Sequence, residues 1–75
     1  MKFPDGKTVR IGDHVKLWDG CFGKVVAIFD SREFEPGYLK NEWGYLEHGI
    51  LVESDQAGLI HYLEPEPTME LIRRK

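Results

Sequence analysis

The sequence predicts an all-β fold, a small barrel of about five strands with a long loop between the second and third. Two patterns carry this expectation. Short β-branched and alternating apolar runs recur between glycine-containing turns, and Pro36, Gly37 and Gly44 interrupt any long helix between residues 30 and 47. Length supplies the third argument. A 75-residue chain is a single domain, residues 1–75, and buries only about 60 % of its unfolded surface. Five short strands in so small a chain cannot stand as a flat sheet, because its edges and one apolar face would stay bare. Curling the sheet into a barrel removes both problems.

The elements follow in order. DHVKLW, residues 13–18, puts Val15 and Leu17 on one face and His14, Lys16 and Trp18 on the other, the period of a half-buried strand. DGCFG, residues 19–23, has two glycines able to take positive φ and is expected to form a tight or bulged hairpin turn. KVVAIF is a continuous β-branched run suited to a strand covered on both faces. Residues 30–47 are expected to form a long, ordered excursion pinned by its aromatic residues, with one helical turn at 40–44 because Leu39 and Trp43 lie four apart. GILVE and LIHYL, joined by the turn SDQAG, make a second hairpin. The prolines of EPEPT take the chain out of the sheet, and MELI returns as a short last strand. That last strand and the GILVE run are candidates for an open edge, which would invite pairing between two copies.

The order strand, strand, long loop, strand, strand, short strand resembles SH3-like barrels. The first hairpin, with Gly12-Asp13-x-Val15 and Gly23-x-Val25-Val26, resembles the opening of KOW-type barrels of translation and transcription proteins, and that resemblance implies association with nucleic acid. Over nearly the whole chain, DGKTVRIGDHVKLWDG, EWGYLEHGILVES, GLIHYLEPEP and MELIRR are similar to a family of small bacterial proteins, some of which accompany toxin or contact-inhibition systems as immunity partners. This second resemblance implies a binding role and supplies no catalytic residues.

Charge changes sign along the chain. Residues 1–29 sum to +2, residues 30–52 to −3, residues 53–70 to −5 and residues 71–75 to +3, giving a net −3. The opening MKFPDGKTVR lacks the apolar run of a signal peptide, and no apolar stretch approaches the roughly 18 residues that span a bilayer. A cytoplasmic protein without membrane contact is expected. Cys21 is the single cysteine, so no internal disulfide can form, and it reads as a semi-buried filler thiol.

Catalytic chemistry has little to stand on. His14, His48 and His61, with Glu47, Asp13 or Glu64 beside them, lack short metal-ligand spacing. The carboxylates at Glu33/Glu35, Asp55 and Glu64/Glu66 lie in polar segments expected to stay solvated, with no reason for a raised pKa. No P-loop, GxSxG or HExxH motif occurs. No enzyme, metal or cofactor is expected.

Nucleic-acid binding would use Lys16, Trp18, Phe22 and Lys24 on the first hairpin. The acidic remainder of the chain opposes it, since phosphate contacts supply most non-specific affinity. Protein binding accounts for more of the sequence. Trp18, Phe22, Tyr38, Trp43 and Tyr45 fall near turns and the long loop, where aromatic side chains anchor interfaces, while Phe29, Trp43 and Tyr62 are also candidates to plug the barrel. Glu33, Glu35, Glu42 and Glu47 give these aromatics an acidic rim, which favours a basic partner such as a nuclease toxin. Asp55, Glu64 and Glu66 extend the set that would mimic a polyanion.

Overall fold

A computed structural model describes residues 2–38, 47–64 and 66–74. Its strands are β1 (His14–Trp18), β2 (Cys21–Ile28), β3 (Glu33–Phe34), β4 (Ile50–Ser54), β5 (Gly58–Tyr62) and β6 (Glu70–Arg73), and no helix forms among the described residues. All pairings are antiparallel, in the order β5-β4-β2-β1-β6, with β3 added to β2. The last strand returns beside the first, and the sheet curls around a main core as the spacing predicts.

That core takes residues from all five main strands. Val15, Leu17, Cys21, Val25, Ile28, Ile50, Val52 and Tyr62 are buried with Phe3, Val9 and Met69, and Ile60 and Leu71 pack against them. The alternation in DHVKLW therefore holds, with Val15 and Leu17 inside and Trp18 outside. Cys21 is fully buried rather than half-buried.

The KVVAIF run is covered on both faces because β2 carries a bulge. Its register to β4 slips between Val25 and Ala27, so Val26 has no partner across the strand. The slip reverses the side-chain alternation. Val25 and Ile28 face the main core, while Val26, Ala27 and Phe29, with Leu51, form a second small core on the other side. Phe34 and Tyr38 close that second core from outside. The excursion thus starts by folding back over the sheet, held by β3 and by the Glu35 N–H donating to the Val26 carbonyl at 2.8 Å. The expected helical turn at 40–44 lies outside the described residues.

Three expectations need correction. The first turn is only Asp19-Gly20, with Gly20 at φ +83°, because Cys21 pairs across from Trp18 and Phe22 across from Lys16. Both glycines of DGCFG were not needed for φ: Gly23 is a strand residue, and a Cβ there would lie 2.7 Å from the Val52 side chain and 2.8 Å from the Glu53 carbonyl. The GILVE run is not an edge, since β4 sits between β2 and β5. Lastly, the two-residue β3 is too short to leave any pattern in the sequence.

The Gly12-Asp13 pair has a structural role. Asp13 is 1 % exposed. Its carboxylate accepts the Arg10 N–H at 2.9 Å, and Arg74 Nη1 lies 3.8 Å from it. Its backbone carbonyl accepts Val25 N–H, while Gly12 N–H donates to Val25 O, both at 2.9 Å. This pair starts the hairpin and ties both termini to it.

Candidate functional site

The predicted surface residues fall into two neighbourhoods. At the end of the first hairpin, Trp18 and Phe22 are 41 % and 44 % exposed. The tight turn and the slip between Lys16 and Trp18 place them there. Their backbone is firmly held. Phe22 N–H donates to Asp55 Oδ1 at 3.2 Å and Phe22 O accepts Asp55 N–H at 2.8 Å, while the Gln56 amide donates to Gly20 O. The turn of the second hairpin is therefore docked against the turn of the first. Trp18 lines a shallow cleft with Pro67, Thr68 and Glu70, and Thr68 Oγ1 fixes that wall by donating to Leu17 O at 2.7 Å. Phe22 lines a second groove with His14, Lys24, Glu53 and Asp55. Two open aromatic surfaces result, carried on a hairpin whose backbone the second turn holds in place.

The second neighbourhood is the start of the excursion. Lys24 and Glu53 lie opposite one another on β2 and β4. Lys24 Nζ donates to Glu35 Oε1 at 3.1 Å, and the Tyr38 hydroxyl donates to Glu53. Glu35 was expected to stay solvated; instead its side chain is 14 % exposed, with Oε2 buried and without a hydrogen-bond partner among the described residues. Tyr38 is half-buried. Glu33 and Glu47 remain exposed, Glu33 accepting the Ser31 hydroxyl at 2.6 Å. Glu42, Trp43 and Tyr45 lie outside the described residues.

The hydrogen bond it donates to Glu53, reinforced by burial, pushes the Tyr38 phenol from 10.0 up to about 12. In the unfolded chain the phenol ionises near 10. The stability it contributes is thus fully present below pH 10 and is lost as pH rises from 10 to about 12. Spectrophotometric titration is expected to show a phenol ionising near pH 12 that vanishes in Tyr38→Phe. If Tyr38→Phe instead removes a phenol that ionises near the ordinary value of 10.0, the Tyr38–Glu53 contact is absent in solution.

Many acidic groups serve the fold. Asp13 and Asp55 accept backbone N–H groups. Asp30 accepts Gly49 N–H at 3.1 Å and faces His48 Nδ1 at 3.1 Å; the His48 contact, helped by Gly49, lowers its pKa. Of the residues expected to mimic a polyanion, Glu33, Glu47, Glu64 and Glu66 stay exposed, whereas Asp55 and Glu35 are engaged in hydrogen bonds. The lysines of the first hairpin are also met by carboxylates, Lys16 by Asp19 at 3.0 Å and Lys24 by Glu35 at 3.1 Å.

No group of three or more potential metal ligands converges among the described residues. Burial, aided by Asp55, raises the Cys21 thiol, the opposite of what a nucleophile needs. Tyr62 is buried in the main core, as expected of a barrel plug, whereas Phe29 is buried in the second core on the other face of the sheet. Sequence reasoning missed Leu59, Leu63 and Ile72, which are exposed. The alternation of LIHYL, with Tyr62 inside, was the available signal for the two leucines.

Compared with known proteins, the chain matches no family model, no curated protein and no solved structure.

Proposed function

We propose that this chain is a non-catalytic protein-binding module that anchors a basic partner protein on Trp18 and Phe22. The observation that carries the reading is the pair of half-exposed aromatics on a backbone fixed by the Asp55 and Gln56 contacts. Tryptophan and tyrosine-like aromatics in rigid, partly enclosed positions are the side chains that dominate interface energetics. Exposed Glu33, Glu47, Glu64 and Glu66 supply the negative field that would steer a basic protein toward the module. Toxin neutralisation is proposed as its role on the sequence resemblance to immunity-type proteins in stretches such as EWGYLEHGILVES and GLIHYLEPEP. Pairing of Lys16 and Lys24 with carboxylates speaks against a basic strip for phosphates, so the first hairpin favours a protein over nucleic acid.

Capture from nuclease-treated source extract at moderate salt tests this. A defined protein is expected on the wild-type bait, with recovery reduced at least about tenfold on a Trp18→Ala/Phe22→Ala bait. Both residues are surface-exposed, so the melting temperature of the variant is expected to stay close to wild type. Recovery of RNA without a protein, from extract left untreated, would contradict the proposal.

A further inference from the structure

The sheet ends in β6 on one side and β5 on the other, and the two edges are finished differently. β6 carries Glu70 and Arg73, and its register to β1 slips between His14 and Val15. Charges and a bulge at an edge discourage addition of another strand. β5 has neither. Residues 58–63, GLIHYL, contain no Lys, Arg, Asp, Glu or Pro. Their register to β4 runs without a slip through five pairs, and no described strand lies on the other side. Burial alternates along it. Tyr62 is inside, while Leu59, His61 and Leu63 are exposed, the leucines by 42 % and 68 %.

The outward row Leu59-x-His61-x-Leu63 reads the same in both directions, and this decides the occupant. The geometry points to a second copy of the chain, its β5 antiparallel to this one about a two-fold axis at His61. In that register Leu59 faces the partner's Leu63, Leu63 faces the partner's Leu59, and the two leucine pairs leave water together with the strand edges. Charge agrees. Glu64 falls opposite the partner's Gly58, so no like charges meet, and an uncharged strand offers a basic protein nothing to pair with. The interface lies on a different edge from Trp18 and Phe22 and stands or falls independently of the partner reading.

Sedimentation equilibrium of the full chain from ~10 μM to ~1 mM is expected to show the mass rise from 8.7 kDa toward twice that value. Leu63→Lys is expected to stay at the monomer mass throughout, with an unchanged circular dichroism spectrum. A Leu59→Cys/Leu63→Cys double variant reads the register. Within one chain these positions are about 13 Å apart along the strand, too far for a disulfide, so mild oxidation is expected to give a covalent dimer. Leu63→Cys alone is expected to give little. A wild-type mass constant at 8.7 kDa, a dimer that survives Leu63→Lys, or cross-linking of the single variant as fast as the double would each overturn the inference.

Discussion

Gly49→Ala is expected to cost about 4 kcal/mol of folding stability, at the upper end of what single substitutions do. Gly49 sits at φ +90°, and a Cβ there would lie 2.1 Å from the Tyr62 carbonyl oxygen and 3.0 Å from Leu63 Cα. Those are backbone atoms of the neighbouring strand, so relief requires β4 and β5 to part. The same residue closes the neck of the excursion, its N–H held by Asp30 and its carbonyl accepting Phe29 N–H at 2.9 Å. A domain of this size has roughly 4–11 kcal/mol in total, so the variant is expected to lose a large share of its stability and to melt well below wild type. Gly37→Ala is the control. Its φ is +98° with no atom of the described residues within 4 Å of the added Cβ, so the left-handed backbone penalty of about 1–2 kcal/mol is what is expected there. Urea denaturation of the two variants separates the clash from the conformation; equal losses would show that the β4–β5 approach at Gly49 is looser than described.

Phe29→Ala is expected to cost about 3–4 kcal/mol and to loosen one segment in particular. Phe29 is fully buried in the second core, edge-on to Phe34 at 5.9 Å and to His61 at 5.4 Å between ring centroids. Its loss opens a cavity under Phe34 and Tyr38, the residues that hold the excursion against the sheet. Hydrogen exchange of the Glu35 and Tyr38 amides, bonded to Val26 O and Glu35 O, is expected to accelerate more than that of the Val25 amide bonded to Asp13 O. The phenol of Tyr38 is expected to titrate closer to its ordinary range in the same variant. Uniform acceleration across the molecule would mean that the two cores unfold as one.

The barrel was legible because its signals are local. Alternation in DHVKLW, the unbroken VVAIF run and the prolines of EPEPT each dictate one element without reference to distant residues. The VVAIF run also announced that something must cover its second face. What covers it was hidden, since that depends on the bulge at Val26 and on contacts of Phe34 and Tyr38 with residues far along the chain. The site was legible to a similar depth. Trp18 and Phe22 could be placed beside the turn, but the buried Glu35 looked like any solvated acid, because its partner Lys24 is eleven positions away. Acidic composition likewise gave the sign of the surface and overstated its free charge, for Asp13, Asp30 and Asp55 are spent on backbone N–H groups.

The central claim is that Trp18 and Phe22 form the surface on which a protein partner is held. Titration calorimetry of the purified captured protein against wild type and Trp18→Ala/Phe22→Ala measures it directly. An affinity at least about a hundredfold weaker is expected for the variant, the loss of two interface anchors, at unchanged melting temperature. Equal affinity for the two proteins would contradict it.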